Sequence, residues 1–151
     1  MEKQIVSDFS LPSTGATTFH LSGAKDHLLV LYFYPKDNTP GCTTEGIQFR
    51  DRYQDFRKLG CGIYGISRDS LKSHEGFKAK HGFPFDLLAD TDEKVCAQFG
   101  VIKMKNMYGK QVRGIERSTF LLDRERVIRR AWRGIKVPGH VQEVLDFVKT
   151  L

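Results

Sequence analysis

The sequence predicts an α/β protein in which one mixed sheet is flanked by helices. Residues 28–34 and 62–67 form short apolar runs of the kind found in strands buried on both faces. Helical patterns follow both runs, and strands and helices continue to alternate to the end of the chain. The 151 residues, 40% hydrophobic and 28% charged, suffice for one domain with a sizeable core, which we place at 1–151.

The first half of the chain carries the clearest elements. A β-rich N-terminal segment precedes the apolar strand 28–34, which Pro35 ends. From 39 to 59 the apolar residues recur at steps of four, three and three and therefore line one helical face. Gly60 ends this helix. The apolar face consists of Phe49, Tyr53, Phe56 and Leu59.

The second half continues the alternation. Glycine and proline mark its boundaries, with Gly100 stopping a helix and Pro138 standing near the start of the last one. The predicted elements are a strand at 62–67, a helix at 70–81, a strand at 85–89, a helix at 93–99, strands at 116–122 and 127–132, and a terminal helix with Val141, Val144, Leu145 and Val148 as its apolar stripe.

Composition and charge exclude several classes of protein. The net charge is +6, but the excess is spread along the chain apart from residues 124–133, which we interpret as a solvated strand or loop. Segment 1–10 has no apolar core of a secretory signal. The longest strongly apolar stretch, 28–34, is far too short to span a membrane. We therefore expect neither a membrane nor a nucleic-acid partner.

The three cysteines, Cys42, Cys61 and Cys96, include no CxxC pair. They indicate neither a disulfide framework nor a zinc site, and favour a reducing, cytoplasmic compartment. The five histidines form no closely spaced pair of metal ligands, and no phosphate-binding glycine loop is present. We therefore expect no metal and no cofactor.

The segment that carries chemistry lies between strand 28–34 and the long helix. Thr39 is a suitable N-cap and Pro40 suits the first helical position, which makes Cys42 the third helical residue. Free backbone N–H groups and the positive end of the helix dipole then favour the thiolate over the thiol. Cys42 is therefore predicted to be a nucleophile near neutral pH.

Pro35, Thr39 and Cys42 match the PxxxTxxC signature of the peroxiredoxins, and the chain resembles that family over nearly its whole length. The string FYPKDNTPGCTTE, with GIS at 65–67, FGV at 99–101 and RSTFLLD at 117–123, resembles the Q-type, or bacterioferritin comigratory protein, branch.

The resemblance implies a thioredoxin-like fold, with an N-terminal β-hairpin extension to the sheet, and a thiol-dependent peroxidase that acts in antioxidant defence. It implies that Pro35 shields the site, that the Thr39 hydroxyl bonds the sulfur and the peroxide, and that Arg117 from a distant strand completes the pocket. Glu45, three residues after Cys42, would orient Arg117. Peroxiredoxins of this branch are often monomeric, so we expect a monomer.

The chain departs from the branch where a second cysteine is usual. Ile47 occupies the position five residues after Cys42, and segment 70–81 contains no cysteine. Cys61 and Cys96 remain open as partners of Cys42, but a one-cysteine mechanism is favoured. The reductant would be an external thiol, supplied by thioredoxin, glutaredoxin or a low-molecular-weight thiol.

Each predicted site residue also has a plain structural interpretation. Cys42 could be an inert buried thiol, Thr39 only an N-cap, Pro35 only a strand terminator, Arg117 a surface charge and Glu45 a first-turn acid. Two other functions are also open. A thiol-disulfide oxidoreductase would need a CxxC motif, whereas a module binding nucleic acid through 124–133 would show steep salt dependence independent of Cys42.

Overall fold

Strands and helices alternate along the chain as predicted. A computed structural model describes residues 4–151, so the first three residues of segment 1–10 and of the predicted domain 1–151 lie outside the described part. The strands are β1 (Ser10–Ser13), β2 (Thr17–His20), β3 (Leu28–Phe33), β4 (Cys61–Ser67), β5 (Asp86–Ala89), β6 (Ile102–Met107), β7 (Lys110–Ile115), β8 (Ser118–Leu122) and β9 (Ile128–Arg133). The helices are α1 (Pro40–Lys58), α2 (Leu71–His81), α3 (Lys94–Gln98) and α4 (His140–Val148).

Seven strands form one mixed sheet in the order β2-β1-β5-β4-β3-β8-β9. The central strands β3, β4 and β5 are parallel, β8 pairs antiparallel with β3, and β9 pairs antiparallel with β8. The predicted N-terminal hairpin is β1 and β2, and it joins the sheet where Ser13 pairs with Leu88 of β5. The carboxyl ends of β3 and β4 therefore lie at the same edge of the sheet, where α1 and α2 begin.

The sheet separates two layers of core. Successive residues of β3 point to opposite faces, so Val30 and Tyr32 enter one layer while Leu29 and Leu31 enter the other. The first layer contains the apolar faces of α1, α2 and α4, and the second contains α3 and the N-terminal hairpin. All strand residues of β3 except the first are buried, which confirms the prediction of a strand covered on both faces.

Helix α1 packs on the first layer through most of its predicted face. Phe49 and Phe56 are fully buried and Tyr53 is half-buried, but Leu59 at the helix end is 38% exposed, so its assignment to that face was wrong. Leu59 lies beyond the last helical residue, and the backbone already turns there toward Gly60 at φ +71°.

The sequence did not predict the separate two-stranded sheet of β6 and β7. Every residue of β6 after Ile102 is exposed and only the last residue of β7 is buried, so the two strands bury little apolar surface. The turn at Tyr108 and Gly109 has positive φ at both residues, as two-residue hairpin turns require.

Candidate active site

Helix α1 places Cys42 where the sequence predicted it. Thr39 occupies the N-cap position with extended backbone angles, Pro40 is the first helical residue and Cys42 is the third. The Cys42 side chain is buried, at 2% exposure. It follows the carboxyl end of β3, at the edge of the sheet where α1 begins. Its sulfur therefore lies in the first helical turn, where backbone N–H groups have no helical partner.

Thr39 does not cap the helix with its side chain, which corrects part of the prediction. Its hydroxyl donates to the Lys36 carbonyl oxygen at 2.8 Å. That bond closes the turn preceding α1 and directs the hydroxyl proton away from Cys42. The predicted contact between Thr39 and the sulfur is accordingly not among the hydrogen bonds of residues 4–151.

Arg117 brings a positive charge to Cys42. Its Nη2 donates to the Cys42 sulfur at 3.4 Å and its Nη1 donates to Glu45 Oε1 at 2.7 Å. Arg117 immediately precedes β8, rather than lying on the strand predicted from 116, and its carbonyl accepts from Ile135 N–H. A Cβ at Gly41 would lie 3.1 Å from Nη2, so glycine leaves room for the guanidinium.

Glu45 is a buried carboxyl between Arg117 and the core. Its side chain has no exposed surface, and Oε2 lacks a partner among the described residues. Burial raises the pKa of Glu45 to about 7 even though Arg117 acts in the opposite direction. Burial by itself would lower the pKa of Arg117, but the charges of Glu45 and Cys42 outweigh it, so the pKa of Arg117 is raised and the group is a permanent cation.

This arrangement can perform one kind of chemistry well. A sulfur at a helix N-terminus, next to a cation that cannot lose its proton, is favoured as a thiolate. The same cation can stabilise negative charge that develops on a substrate oxygen. Pro35 is half-buried in the segment between β3 and α1, and its predicted shielding of the site stays a prediction.

The two other cysteines lie apart from Cys42. Cys96 belongs to the core layer on the opposite face of the sheet. Cys61 begins β4 and pairs with Leu28 at the start of β3, whereas Cys42 follows the far end of that strand. Six strand residues span about 20 Å. All three thiols are free, and burial raises the pKa of Cys61 to about 12 and also raises that of Cys96.

A polar cluster beside the site was missed by sequence reasoning. Asp37, Asp69 and His74 each place a ligand-type atom within 4.8 Å of the others. The carboxylate oxygens already accept hydrogen bonds from protein donors. Asp37 and His74 are 37 residues apart, and nothing in the local pattern of either one indicates the other.

The basic segment 124–133 is a turn followed by an exposed strand. Arg129 and Arg130 are exposed, and the guanidinium of Arg130 lies 5.2 Å from the centre of the Trp132 ring. The charges of these two residues are therefore solvated, as predicted, whereas Arg126 is half-buried and donates to the Ala24 carbonyl oxygen. None of the helices between residues 4 and 151 has the length and apolar character needed to cross a bilayer.

Comparison with known proteins gives a consistent result. Residues 3–131 match the model of the AhpC/TSA family. Peroxiredoxin Bcp of Xanthomonas campestris pv. campestris is 55% identical over 142 residues, which cover 94% of this chain and 89% of that protein. Peroxiredoxin Bcp of Bacillus subtilis is 46% identical over 148 residues, covering 98% and 94%.

The fold is likewise shared with solved structures. The structure of the Xanthomonas campestris bacterioferritin comigratory protein superposes with a TM-score of 0.89 at 54% identity, over 94% of this chain and 90% of that one. The predicted thioredoxin-like fold with a mixed central sheet is thereby confirmed.

Proposed function

The chain belongs to the AhpC/TSA family as a peroxiredoxin of the bacterioferritin comigratory protein branch, and we propose that Cys42 is the residue through which it reduces hydroperoxides. As a member of this branch it is a thiol-dependent peroxidase. The observation that carries the assignment of Cys42 is the contact of its sulfur with Arg117 at the first turn of α1.

In the proposed reaction the Cys42 thiolate attacks one oxygen of the O–O bond. A sulfur–oxygen bond forms, the O–O bond breaks, and the departing oxygen takes up a proton to leave as water or an alcohol. Cys42 is oxidised to the sulfenic acid and the peroxide is reduced. Arg117 stabilises negative charge on the departing oxygen, and Glu45 holds Arg117 in place through the bond at 2.7 Å.

Thr39 and Pro35 complete the proposed pocket. The Thr39 hydroxyl donates to Lys36, which leaves its oxygen free to accept from a protonated peroxide oxygen. Pro35 is half-buried and has no N–H, so it can cover the sulfur without adding a competing donor. The Xanthomonas campestris relative has alkyl peroxide reduction activity, and we extend both alkyl and hydrogen peroxide to this chain as substrates.

The sulfenic acid is proposed to be reduced by an external thiol. Cys61 and Cys96 are fully buried, and a disulfide needs Cα atoms within about 7 Å of each other. Cys61 lies at the opposite end of β3 from Cys42, too far for a disulfide unless the protein unfolds locally. Cys96 lies on the opposite face of the sheet. Thioredoxin, glutaredoxin or a low-molecular-weight thiol can supply the electrons. The free cysteines fit a cytoplasmic protein, and we expect it to be a monomer.

The test is the fate of Cys42 under peroxide. Cys42→Ser should abolish peroxide consumption while the folded structure is kept, and mass spectrometry of the wild type with dimedone should show the adduct on Cys42 alone. Cys96→Ser is the matched control, because it removes an equally buried thiol from the other core layer. Substantial turnover by Cys42→Ser, or an adduct on Cys61 or Cys96, would contradict the assignment.

A further inference from the structure

Asp37 is a buried carboxylate in the segment that connects β3 to α1. Its Oδ1 accepts from the Tyr34 hydroxyl at 2.7 Å. Its Oδ2 accepts from the Ser73 hydroxyl at 2.8 Å and lies 2.7 Å from His74 Nδ1. With 4% exposure, this carboxylate interacts with protein groups instead of water.

His74 faces a hydrogen-bond acceptor on each side of its ring. Its Nε2 lies 2.9 Å from the Leu88 carbonyl oxygen, which can only accept, so Nε2 carries a proton. Its Nδ1 faces Asp37 Oδ2, which already accepts from Ser73 while Oδ1 accepts from Tyr34. A proton therefore lies between Nδ1 and Oδ2, and the two buried side chains form one closely bonded pair.

The pair fixes the segment that precedes Cys42 to three neighbouring elements. His74 lies in the first half of α2 and reaches β5 through Leu88. The Asp37 N–H donates to Asp69 Oδ2, and the same oxygen accepts from Ser67 at the end of β4. These bonds therefore hold the segment in a fixed position relative to α2 and to the edge of the sheet.

The backbone of this segment requires such support. Asn38 has φ +63°, a left-handed conformation that side chains other than glycine adopt at a cost. Thr39 follows directly, and its hydroxyl is oriented by the Lys36 carbonyl on the other side of Asp37. A shift of Asp37 would therefore move Thr39, and with it the N-cap of α1.

A buried polar pair contributes little to stability alone, because removing its groups from water offsets much of their attraction. In some proteins such a pair instead specifies one geometry of the segments that it joins. We propose that the Asp37–His74 pair positions residues 36–39 for peroxide attack, keeping the Thr39 hydroxyl in its bond to the Lys36 carbonyl at the N-cap of α1. The proposal rests on the proposed role of Cys42 as the nucleophile. Asp37 and His74 are positioning residues that act through Thr39.

Asp37→Asn tests the proposal in the full-length protein. It retains the size of the side chain and removes the charge, and the second-order rate of the folded variant with hydrogen peroxide should fall roughly tenfold. The ultraviolet thiolate titration of Cys42 should change less than in an Arg117 variant, because Asp37 takes no part in the bonds that Arg117 makes to Cys42 and Glu45. A residue that only supports the fold would lower the melting temperature without changing this rate.

Asp90→Asn is the matched control. Asp90 is also a fully buried carboxylate and accepts from the N–H groups of Val95 and Cys96 at the start of α3. The Asp90→Asn variant should lose stability, as Asp37→Asn does, but its rate with hydrogen peroxide should stay within twofold of the wild-type rate. If Asp37→Asn does not fold, Tyr34→Phe removes one donor from Asp37 at nearly constant volume, and its rate should fall at least threefold.

A folded Asp37→Asn, or in its place Tyr34→Phe, that attacks peroxide at the wild-type rate would overturn the proposal. The role of Cys42 is tested separately, because Cys42→Ser removes turnover whether or not Asp37 positions the segment.

Discussion

At the scale of single residues, charge at the site depends on Arg117. It contacts the Cys42 sulfur and Glu45 at the same time, and its side chain is only 15% exposed. Attraction between these groups is screened little by solvent, so each charge matters more than a surface charge would. This makes Arg117 and Glu45 the residues whose substitution is most informative.

Arg117→Ala should decrease the fraction of Cys42 present as thiolate at neutral pH and slow peroxide attack roughly a hundredfold, because both the thiolate and the departing oxygen lose their cation. Ultraviolet thiolate absorbance followed against pH measures the first effect, and stopped-flow kinetics measures the second. Arg129→Ala is the control, since Arg129 is exposed and its ion pair with Asp123 is long, at 3.7 Å. Unchanged titration and kinetics in Arg117→Ala would place the guanidinium outside the reaction.

Glu45 should make stability depend on pH. Its pKa is raised to about 7 from the usual 4.5, so between these values the folded protein holds a proton that the unfolded chain has released. Stability therefore falls as pH rises through this window, by ~3 kcal/mol at most, and stays lower above it. Glu45→Gln cannot titrate, and the difference in free energy of unfolding between it and the wild type should change across this window. Parallel urea-denaturation curves at all pH values would contradict the raised pKa.

At the scale of elements, α1 approaches its neighbours closely at one point. A Cβ on Gly46 would lie 2.5 Å from the Phe83 ring, whereas a Cβ on Gly76 in α2 would meet nothing within 4 Å. Gly46 is buried and Gly76 is exposed. Gly46 thus allows α1 to pack closely on the Phe83 ring, whereas packing does not require a glycine at position 76.

Gly46→Ala should destabilise the protein by about 1–3 kcal/mol, because the added methyl group forces Phe83 or α1 to move. Gly76→Ala makes the same chemical change in another helix and should stabilise by up to ~1 kcal/mol through helix propensity. Urea denaturation of both variants gives the two values. Equal effects at the two positions would show that α1 does not depend on this contact.

At the scale of the whole molecule, the sheet keeps the three thiols apart. Cys42 and Cys96 lie in different core layers, and Cys61 lies at the opposite end of β3 from Cys42. A protein in which the sheet persists through the cycle cannot join these sulfurs. We therefore expect the sulfenic acid proposed for Cys42 to remain until a thiol arrives from solution.

The double variant Cys61→Ser, Cys96→Ser should therefore retain turnover when dithiothreitol is supplied. Excess peroxide without thiol should inactivate the wild type and the double variant alike, because Cys42 then passes from the sulfenic to the sulfinic acid. Mass spectrometry of the intact protein measures the added oxygens. A Cys42–Cys61 or Cys42–Cys96 linkage in peptide maps, together with lost turnover in the double variant, would contradict the one-cysteine mechanism.

The sequence by itself determined the local features of the site. The apolar run of β3, the Thr39-Pro40 helix start and the position of Cys42 in the first turn of α1 all follow from neighbouring residues, and the structure has them where they were predicted. Such features are set by backbone conformation and by the period of apolar side chains over a few residues. The same reasoning missed β6 and β7, two mostly exposed strands that bury little apolar surface.

Tertiary structure alone decided which distant groups meet at the site. Arg117 contacts Cys42 across 75 residues of sequence, and Asp37 contacts His74 across 37. The same folding that buries Glu45 raises its pKa to about 7. Contacts of this kind depend on the order and register of strands in the sheet, which no local sequence pattern specifies. Burial then sets the strength of the electrostatic interactions between the groups that meet.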